Sequence, residues 1–335
     1  MLTVKKLINA PGDFVDEVLA GVLVAHPEYL RLVAENSRAV VRADGGSPGR
    51  VGIVTGGGSG HLPLFLGYVG RGLASGVAVG NVFSSPSIEA ALAATRAVDG
   101  GAGVLYLYGN YLGDRLVFDS ASEGANREGI ATASVLVNDD AASAPVELLE
   151  QRRGVAGLVF AYKCAGAAAE RGDDLSAVAA IARRTVACTR TMGIGLSPAV
   201  VPAIGQPTFQ LGEGEAEIGI GIHGEPGVRR GKLEAADQVA DELYAAVAEE
   251  LDLGPEARVA VLVNGLGATP LEELYIMTRR VHERLADSRV SVYRSYVGEY
   301  ATSLEMAGAS VSLLRLDDDL EALLDAPARS PFWRT

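Results

Sequence analysis

The sequence predicts an α/β protein with two α/β domains, in which mixed, mostly parallel sheets are flanked by helices. Short apolar runs alternate with helix-like segments in the first half, and the alternation returns after a proline- and glycine-rich stretch at Met192–Phe209. The 41 glycines lie singly or in short clusters at predicted strand ends, where chains turn sharply. We place the domain change near residue 190. The prediction is an N-terminal domain over 1–190 and a C-terminal domain over 191–335.

Three strands and two helices are predicted in the first half. Val51–Thr55 is a short apolar run that ends in glycines, which indicates a buried strand, and Leu62–Gly72 is expected to be helical. Ser85-Pro86 places a serine before a proline, a pattern typical of a helix start. Val104–Tyr108 and Ala131–Val137 are then predicted to be strands.

The predicted N-terminal domain ends with an alanine-rich segment, Cys164–Arg190, that is predicted to be helical with its cap near Asp173-Asp174. Met192–Phe209 is expected to be irregular. Helices are predicted at about Ala235–Leu251 and Leu271–Leu285. The predicted strands are Glu217–Ile222, Val259–Asn264, Val290–Ser295 and Ser310–Leu316.

Composition and charge narrow the classes of function. The net charge of −13 argues against a nucleic-acid partner, because phosphate binding needs clustered Lys and Arg. Apolar runs such as Val259–Val263 are too short to span a membrane, and the N-terminus lacks the pattern of a signal peptide. Cys164 and Cys188 have neither disulfide-framework nor metal-site spacing. We therefore expect a cytoplasmic protein without a membrane or nucleic-acid partner.

Three glycine-rich turns carry a polar residue: Gly56–His61, Asn110–Asp114 and Gly219–Gly227. The first two follow predicted strands, beyond whose carboxyl ends α/β proteins bind ligands. A P-loop would need Lys and Ser or Thr after its glycines, but Gly60 is followed by His61. The third turn contains a G-x-G-x-x-G pattern that runs into Pro226 and not into a helix. The amides of Gly56–Gly60 either hold phosphate oxygens or form a simple turn.

The histidines give the sharpest candidates for chemistry. His26 and His282 are predicted to be surface residues, whereas His61 and His223 are flanked by glycine and join Asp114 in similar turns. No His-x-x-x-His or paired-cysteine spacing supports zinc, so we expect no metal. The alternative is acid–base work on a hydroxyl, with one imidazole attacking a carbonyl. Such an attack gives a hemiaminal, which selects ketones over polyols by chemistry rather than by shape.

These motifs together resemble the K subunit of dihydroxyacetone kinase, over nearly the whole chain and in that family's order. The matching segments are Gly56–His61 with Pro63, Gly67-Tyr68, Phe83 with Ser85-Pro86, Asn110-Tyr111 with Gly113-Asp114, Gly166–Gly172, Gly219–Gly227, Val263-Asn264, Leu266–Leu271, Thr302-Ser303-Leu304 and Asp325-Ala326-Pro327.

The resemblance implies a role for each candidate residue. It implies that His223 binds the ketone covalently as a hemiaminal, that Asp114 is the base on the hydroxyl to be phosphorylated, and that His61 assists near that hydroxyl. The predicted substrate-binding positions are Gly58, Ser59, Ser85 and Gly109. It further implies a ketone substrate (dihydroxyacetone or a related ketose), a homodimer, and no cofactor in this chain. ATP or ADP with Mg would be held by a separate helical L subunit, with an M protein relaying phosphate from phosphoenolpyruvate in some systems.

Two positions depart from the family pattern. Leu62 replaces a glutamate, and Gly109 replaces a lysine that contacts the substrate in the family. One interpretation is that an ion pair has been lost as a unit, since one charge left alone would be costly when buried. The absent lysine would leave more volume, which suits a four-carbon ketose such as erythrulose. An alternative function is a non-catalytic ketone-sensing co-activator, although the intact Asp114 favours the kinase subunit.

Overall fold

The computed structural model describes residues 5–334. Its helices are α1 (Phe14–Ala25), α2 (Ile88–Val98), α3 (Leu112–Arg127), α4 (Leu158–Arg171), α5 (Leu175–Ala187), α6 (Ala236–Glu250), α7 (Leu271–Asp287) and α8 (Asp318–Asp325). Its strands are β1 (Leu30–Val33), β2 (Asn36–Arg42), β3 (Gly52–Ser59), β4 (Gly76–Val82), β5 (Val104–Gly109), β6 (Thr132–Val137), β7 (Thr189–Ser197), β8 (Val200–Val201), β9 (Gln206–Pro207), β10 (Glu215–Ile218), β11 (Arg229–Lys232), β12 (Arg258–Gly265), β13 (Ser291–Gly298) and β14 (Ala307–Leu316).

The strands form two six-stranded mixed sheets with flanking helices, which confirms the predicted fold class. The first sheet has the order β1-β2-β4-β3-β5-β6, and the second has the order β11-β10-β7-β14-β12-β13. Parallel pairing joins β4, β3, β5 and β6 in the first sheet. In the second sheet β12 and β13 pair in parallel, whereas β11, β10, β7, β14 and β12 pair antiparallel in turn. The expectation of mostly parallel pairing is therefore wrong for the second sheet, because successive neighbours there run in opposite directions.

The two sheets share a helical layer, and α4 lies in its middle. Every residue of α4 from Leu158 to Ala169 is buried, as expected for a helix that is covered on all sides. Side chains alternate between faces in both sheets. Leu105 of β5 and Leu262 of β12 join the shared core around α4. Tyr106 packs in the core against α2 and α3, and Val261 packs in the core against α6 and α7.

Most predicted elements are confirmed to within a few residues, namely β3, β5, β6, the helices around residues 164–187, α6, β12, α7, β13 and β14. Asp174 caps α5 by accepting a hydrogen bond from the amide of Ala177 at 2.9 Å, as predicted. All strands of the first sheet precede residue 190 in sequence. The strands of the second sheet follow it, except that β7 begins at Thr189. The division into two domains there stays a prediction.

Two expectations for the first half are wrong. Leu62–Gly72 contains a single 3-10 turn at Leu66–Tyr68 among other turns. Pro63 lacks an amide hydrogen and the segment holds three glycines, so a continuous helix is disfavoured. The helix expected at Ser85 begins at Ile88, and the hydroxyl that accepts from the amide of Ala90 at 3.1 Å belongs to Ser87. Ser85 instead hydrogen-bonds Asp114.

Two expectations for the second half are also wrong in part. Met192–Ser197 is not irregular but belongs to β7, an inner strand of the second sheet. Its glycines permit close packing: a Cβ on Gly195 would lie 2.8 Å from Cδ1 of Ile220. The strand predicted at Glu217–Ile222 ends at Ile218, because Gly219 turns the chain with φ of +80°. Within residues 5–334 no helix is long and apolar enough to cross a membrane.

Candidate active site

The candidate site lies where strand ends of the first sheet meet a turn of the second. His61 follows β3, Ser85 follows β4, and Asp114 lies in the first turn of α3 after β5. His223 comes from the turn between β10 and β11. His61, Asp114 and His223 line one small cavity of about 10 Å³ together with Gly58 and Gly109. The structure thus brings together residues that are far apart in sequence.

A short turn fixes the ring of His223. The two oxygens of the Glu225 carboxylate accept hydrogen bonds from the backbone amide and from Nδ1 of His223, both at 2.9 Å. Burial would raise the pKa of Glu225, but the His223 hydrogen bond and the charges of His223 and Arg153 outweigh burial and lower the pKa to about 2. A carboxylate accepts, so Nδ1 carries the hydrogen and Nε2 is the ring nitrogen that remains for a ligand.

Behind Glu225 lies a second ionic contact. Nη1 of Arg153 is 3.9 Å from Oε2 of Glu225, and Nη2 of Arg153 is 2.8 Å from Oδ2 of the buried Asp140. Gly221 makes this contact possible, because a Cβ there would lie 2.2 Å from Oε2 of Glu225. The row Asp140, Arg153, Glu225 therefore holds the His223 ring from behind.

His61 is almost fully buried and presents a lone pair as well. Its Nδ1 lies 2.7 Å from the carbonyl oxygen of Thr302, which can only accept, so Nδ1 carries the hydrogen. Its Nε2 is buried with no hydrogen-bond partner among residues 5–334. Burial, followed by the proximity of His223, lowers the pKa of His61 to about 3. The ring is therefore neutral at physiological pH, and its Nε2 is an acceptor for a ligand hydroxyl.

Asp114 is a buried carboxyl whose pKa is shifted toward neutrality. Burial raises its pKa to about 6, against the opposing effects of a hydrogen bond from Ser85 and of His223. Its Oδ1 is buried and has no partner in the described part of the chain. Gly113 permits the Ser85 contact, since a Cβ at that position would lie 2.5 Å from Oγ of Ser85. The arrangement leaves one carboxylate oxygen for a ligand proton.

Aromatic rings surround the two histidines. The ring centroids of His61 and His223 are 4.8 Å apart, and Phe83 stacks on His61 at 4.9 Å. Tyr111 packs edge-on against His223 at 4.9 Å, and its hydroxyl donates to the carbonyl of Gly154 at 3.1 Å. Burial raises the pKa of Tyr111 well above its usual value. Tyr111 therefore stays a neutral hydrogen-bond donor packed against His223.

The remaining predicted site positions fall in two places. Gly58 borders the cavity, and its missing side chain admits the backbone of residues 83–84, since a Cβ would lie 2.6 Å from the amide nitrogen of Ser84. Ser59 does not line this cavity; it donates to the carbonyl of Gly80 at 2.8 Å and borders a neighbouring apolar cavity. Gly109 lies on the site, but a Cβ there would be 3.1 Å from the Tyr111 ring. Tyr111 thus occupies part of the volume that the absent lysine would leave.

Leu62 and Gly109 border different cavities, so the idea of an ion pair lost as a unit gains no support. Sequence reasoning also overlooked Glu225 and Arg153. Glu225 could have been identified from the sequence, because it stands two residues after His223, within reach of its ring. Arg153 carries no motif that marks it. Among the described residues, no group of three or more His, Cys, Asp and Glu is arranged to hold a metal ion.

Comparison with known proteins places this geometry in a family. The model of the Dak1 domain matches residues 20–332. The chain is 44% identical over 330 residues to the dihydroxyacetone-binding subunit DhaK of PTS-dependent dihydroxyacetone kinase 2 from Listeria innocua, covering 98% of this chain and 99% of that one. Identity to the corresponding subunit of the PEP-dependent kinase from Escherichia coli is 40%, covering 98% of each chain. An L-erythrulose 1-kinase from Mycolicibacterium smegmatis is 42% identical, but this chain spans 58% of it.

Solved structures agree with the sequence relatives. The dihydroxyacetone kinase operon co-activator DhaQ superposes with a TM-score of 0.88 at 31% identity, covering 95% of this chain and 98% of that one. The dihydroxyacetone kinase of C. freundii superposes with the same TM-score at 33% identity, covering 99% of this chain and 60% of that one. With the Dak1 domain spanning residues 20–332 and close identity over nearly its full length, the chain belongs to the dihydroxyacetone kinase K subunit family.

Proposed function

We propose that this protein is the substrate-binding subunit of a dihydroxyacetone-type kinase, a phosphotransferase that acts on a small hydroxyketone. One observation carries the proposal. Two imidazoles whose Nδ1 atoms are engaged by Thr302 and Glu225 line one cavity together with a carboxyl that has a raised pKa of about 6. A nucleophile, an acceptor and a base are the groups that covalent capture and phosphorylation of a hydroxyketone require.

The capture step uses His223. Its Nε2 attacks the carbonyl carbon, and the π electrons of the carbonyl move to the oxygen. The oxygen gains a proton and Nδ1 loses one, so the product is a neutral hemiaminal. The carboxylate of Glu225, 2.9 Å from Nδ1, stabilises the positive charge that develops on the ring. Glycerol has no carbonyl and cannot form this bond, so chemistry and not shape excludes it.

The transfer step uses Asp114. Its carboxylate takes the proton of the ligand hydroxyl as that oxygen bonds to the terminal phosphorus of the donor, and the rest of the donor leaves with the electrons of the P–O bond that breaks. Nε2 of His61 accepts a hydrogen bond close to this hydroxyl and orients it. A pKa of about 6 lets Asp114 be ionised near neutral pH and still hold a proton better than an exposed aspartate does.

The phosphate donor is proposed to come from a separate L-type subunit that carries ATP or ADP with Mg. The glycine turn at Gly56–Gly60 lacks the Lys and Ser or Thr of a P-loop, and relatives of similar length carry names of PTS- or PEP-dependent kinase subunits. Two sources of the phosphate fit this proposal. One is ATP itself, and the other is phosphoenolpyruvate, whose phosphate an M protein would pass to the nucleotide. Relatives named for erythrulose keep a four-carbon ketose open beside dihydroxyacetone.

Reconstitution tests the proposal. The full chain is mixed with an L-type subunit and its nucleotide, and phosphorylated ketose is measured with dihydroxyacetone, erythrulose and glycerol. We expect turnover with a ketose and none with glycerol. Absence of turnover with every small ketose, in a mixture where the E. coli K subunit is active, would reject the kinase function.

A ketone-sensing co-activator is the second candidate, favoured by the structural likeness to the co-activator DhaQ and by the departures at Leu62 and Gly109. The unpaired, buried Asp114 oxygen argues for catalysis, because a sensor needs no base. Affinity capture with the full chain separates the two functions. An L-type subunit as partner supports the kinase, and a transcription regulator as the sole partner supports the sensor.

A further inference from the structure

An apolar cavity of about 240 Å³ lies directly beside the site of His223 and is not used by the mechanism above. Its walls come from α1, β3, β4 and the turn after β3, and the loops after β12 and β13 add Gly267, Glu299, Thr302 and Leu304. The apolar side chains that line it include Phe14, Val15, Val18, Leu19, Val77 and Val79. An apolar cavity of about 150 Å³ is enough to bind benzene in another protein, so this one has room for a short alkyl chain.

The two cavities share a wall. Gly58, His61, Leu64 and Phe65 border both the site of His223 and the apolar cavity. The tip of the Phe65 ring lies against Gly57, where a Cβ would be 2.4 Å from Cζ of Phe65. Its backbone has φ of +65° and ψ of −90°, a rarely populated conformation for a residue with a side chain. The ring of Phe65 therefore forms a specific partition.

The small size of the site makes this partition important. A volume of about 10 Å³ holds roughly one water molecule, which is less than any hydroxyketone needs. Binding must therefore move part of the wall. The larger free space nearby is the apolar cavity, which His61 and Phe65 separate from Asp114 and His223. A substituent on the ketone that displaces the partition would enter an apolar environment.

Leu62 adds to the apolar part of that environment. Its side chain borders the cavity and packs with the core under α1, at the position where the family motif carries a glutamate. A carboxylate would oppose an alkyl group there because it would have to give up water, whereas leucine gains from the contact.

We propose that the apolar cavity is a subsite for an alkyl substituent on the ketone held by His223. The preferred ligands are then 1-hydroxy-2-ketones whose second substituent is a short alkyl chain. This inference rests on the proposed capture of a ketone at His223. It assigns Leu62, Val18 and Phe65 to substrate specificity, and it places the alkyl group on the side of His61 away from Asp114.

A series of ligands tests the inference on the full chain. Dissociation constants are measured by calorimetry for dihydroxyacetone, hydroxyacetone, 1-hydroxy-2-butanone, 1-hydroxy-2-pentanone and 1-hydroxy-2-hexanone. Each added methylene is expected to tighten binding about two- to fourfold, since burying one methylene gives about that factor. The Val18→Phe variant fills the cavity and is expected to remove the gain while dihydroxyacetone binding stays within about twofold. Leu62→Glu is expected to remove the gain as well.

The matched control is Val24→Phe, the same change at an exposed position of α1, which should leave the whole series unchanged. A flat series, or a gain that persists in both Val18→Phe and Leu62→Glu, would overturn the subsite while dihydroxyacetone still binds. Failure of every ketone to bind would instead reject the capture of a ketone at His223. The two failures are therefore distinct.

Discussion

Glu225→Gln tests how His223 is held ready for attack. In the wild type both carboxylate oxygens accept from His223, one from the amide and one from Nδ1, at 2.9 Å each. Glutamine keeps one acceptor and turns an NH₂ group toward the other donor. Either the ring loses its orientation or the turn loses its amide contact, and the positive charge that develops during attack is no longer stabilised.

The size of the effect follows from the exposure of the pair. A hydrogen bond to a charged group contributes about 1.5–3 kcal/mol when buried. The side chains of His223 and Glu225 keep 25% and 30% of their exposure, so solvent reduces this to about 1–2 kcal/mol. That corresponds to about five- to thirtyfold weaker binding of dihydroxyacetone.

Calorimetric titration of the full chain with dihydroxyacetone measures this effect, and circular dichroism checks that the variant is folded. The matched control is Glu213→Gln, the same change at an exposed residue of the turn before β10, which should bind like the wild type. A dissociation constant for Glu225→Gln within twofold of the wild type would refute the role given to Glu225.

Three further predictions concern Asp114 and Gly221. Asp114→Asn should abolish turnover in the reconstituted kinase while dihydroxyacetone binding changes less than about threefold; loss of both would contradict a role limited to proton transfer. Burial raises the pKa of Asp114 from 3.8 to about 6, so the folded state binds this proton more tightly than the unfolded state does. The free energy of unfolding that the protein has below pH 3.8 is therefore reduced as the pH rises through 6. Urea unfolding should therefore find Asp114→Asn more stable than the wild type by about 2–3 kcal/mol at pH 8 and not at pH 4, and equal differences at both pH values would be evidence against the buried carboxylate. Gly221→Ala would place a Cβ 2.2 Å from Oε2 of Glu225 and should weaken ketone binding at least tenfold by calorimetry. Gly231→Ala, whose nearest neighbour would be 3.6 Å away, should have no effect, and similar affinities for the two alanine variants would count against the ionic support of Glu225.

The sequence could predict the strands that end in glycine turns, because buried apolar runs and their terminating glycines are local signals. It could also predict that His61, Asp114 and His223 meet, since two of them follow strands of one sheet and all three match a family motif. Leu62–Gly72 was mispredicted because its apolar residues suggested a helix that Pro63 and the glycines prevent.

What the sequence could not predict depends on contacts between distant segments. Arg153 reaches Glu225 from a loop 72 positions earlier in the chain, and only the packing of the two sheets shows this contact. The ring of Phe65 between two cavities has the same origin. The antiparallel pairing in the second sheet could not be predicted either, because apolar runs do not indicate which neighbour a strand pairs with or in which direction. The homodimer and the cytoplasmic location stay predictions.

A crystal structure of the full chain with dihydroxyacetone tests the central claim most directly. The account predicts continuous density between Nε2 of His223 and the former carbonyl carbon, at a single-bond distance of about 1.45 Å, with a ligand hydroxyl near Oδ1 of Asp114. A ligand that keeps a planar carbonyl and lies at a van der Waals separation of about 3.5 Å from Nε2 would contradict covalent capture by His223.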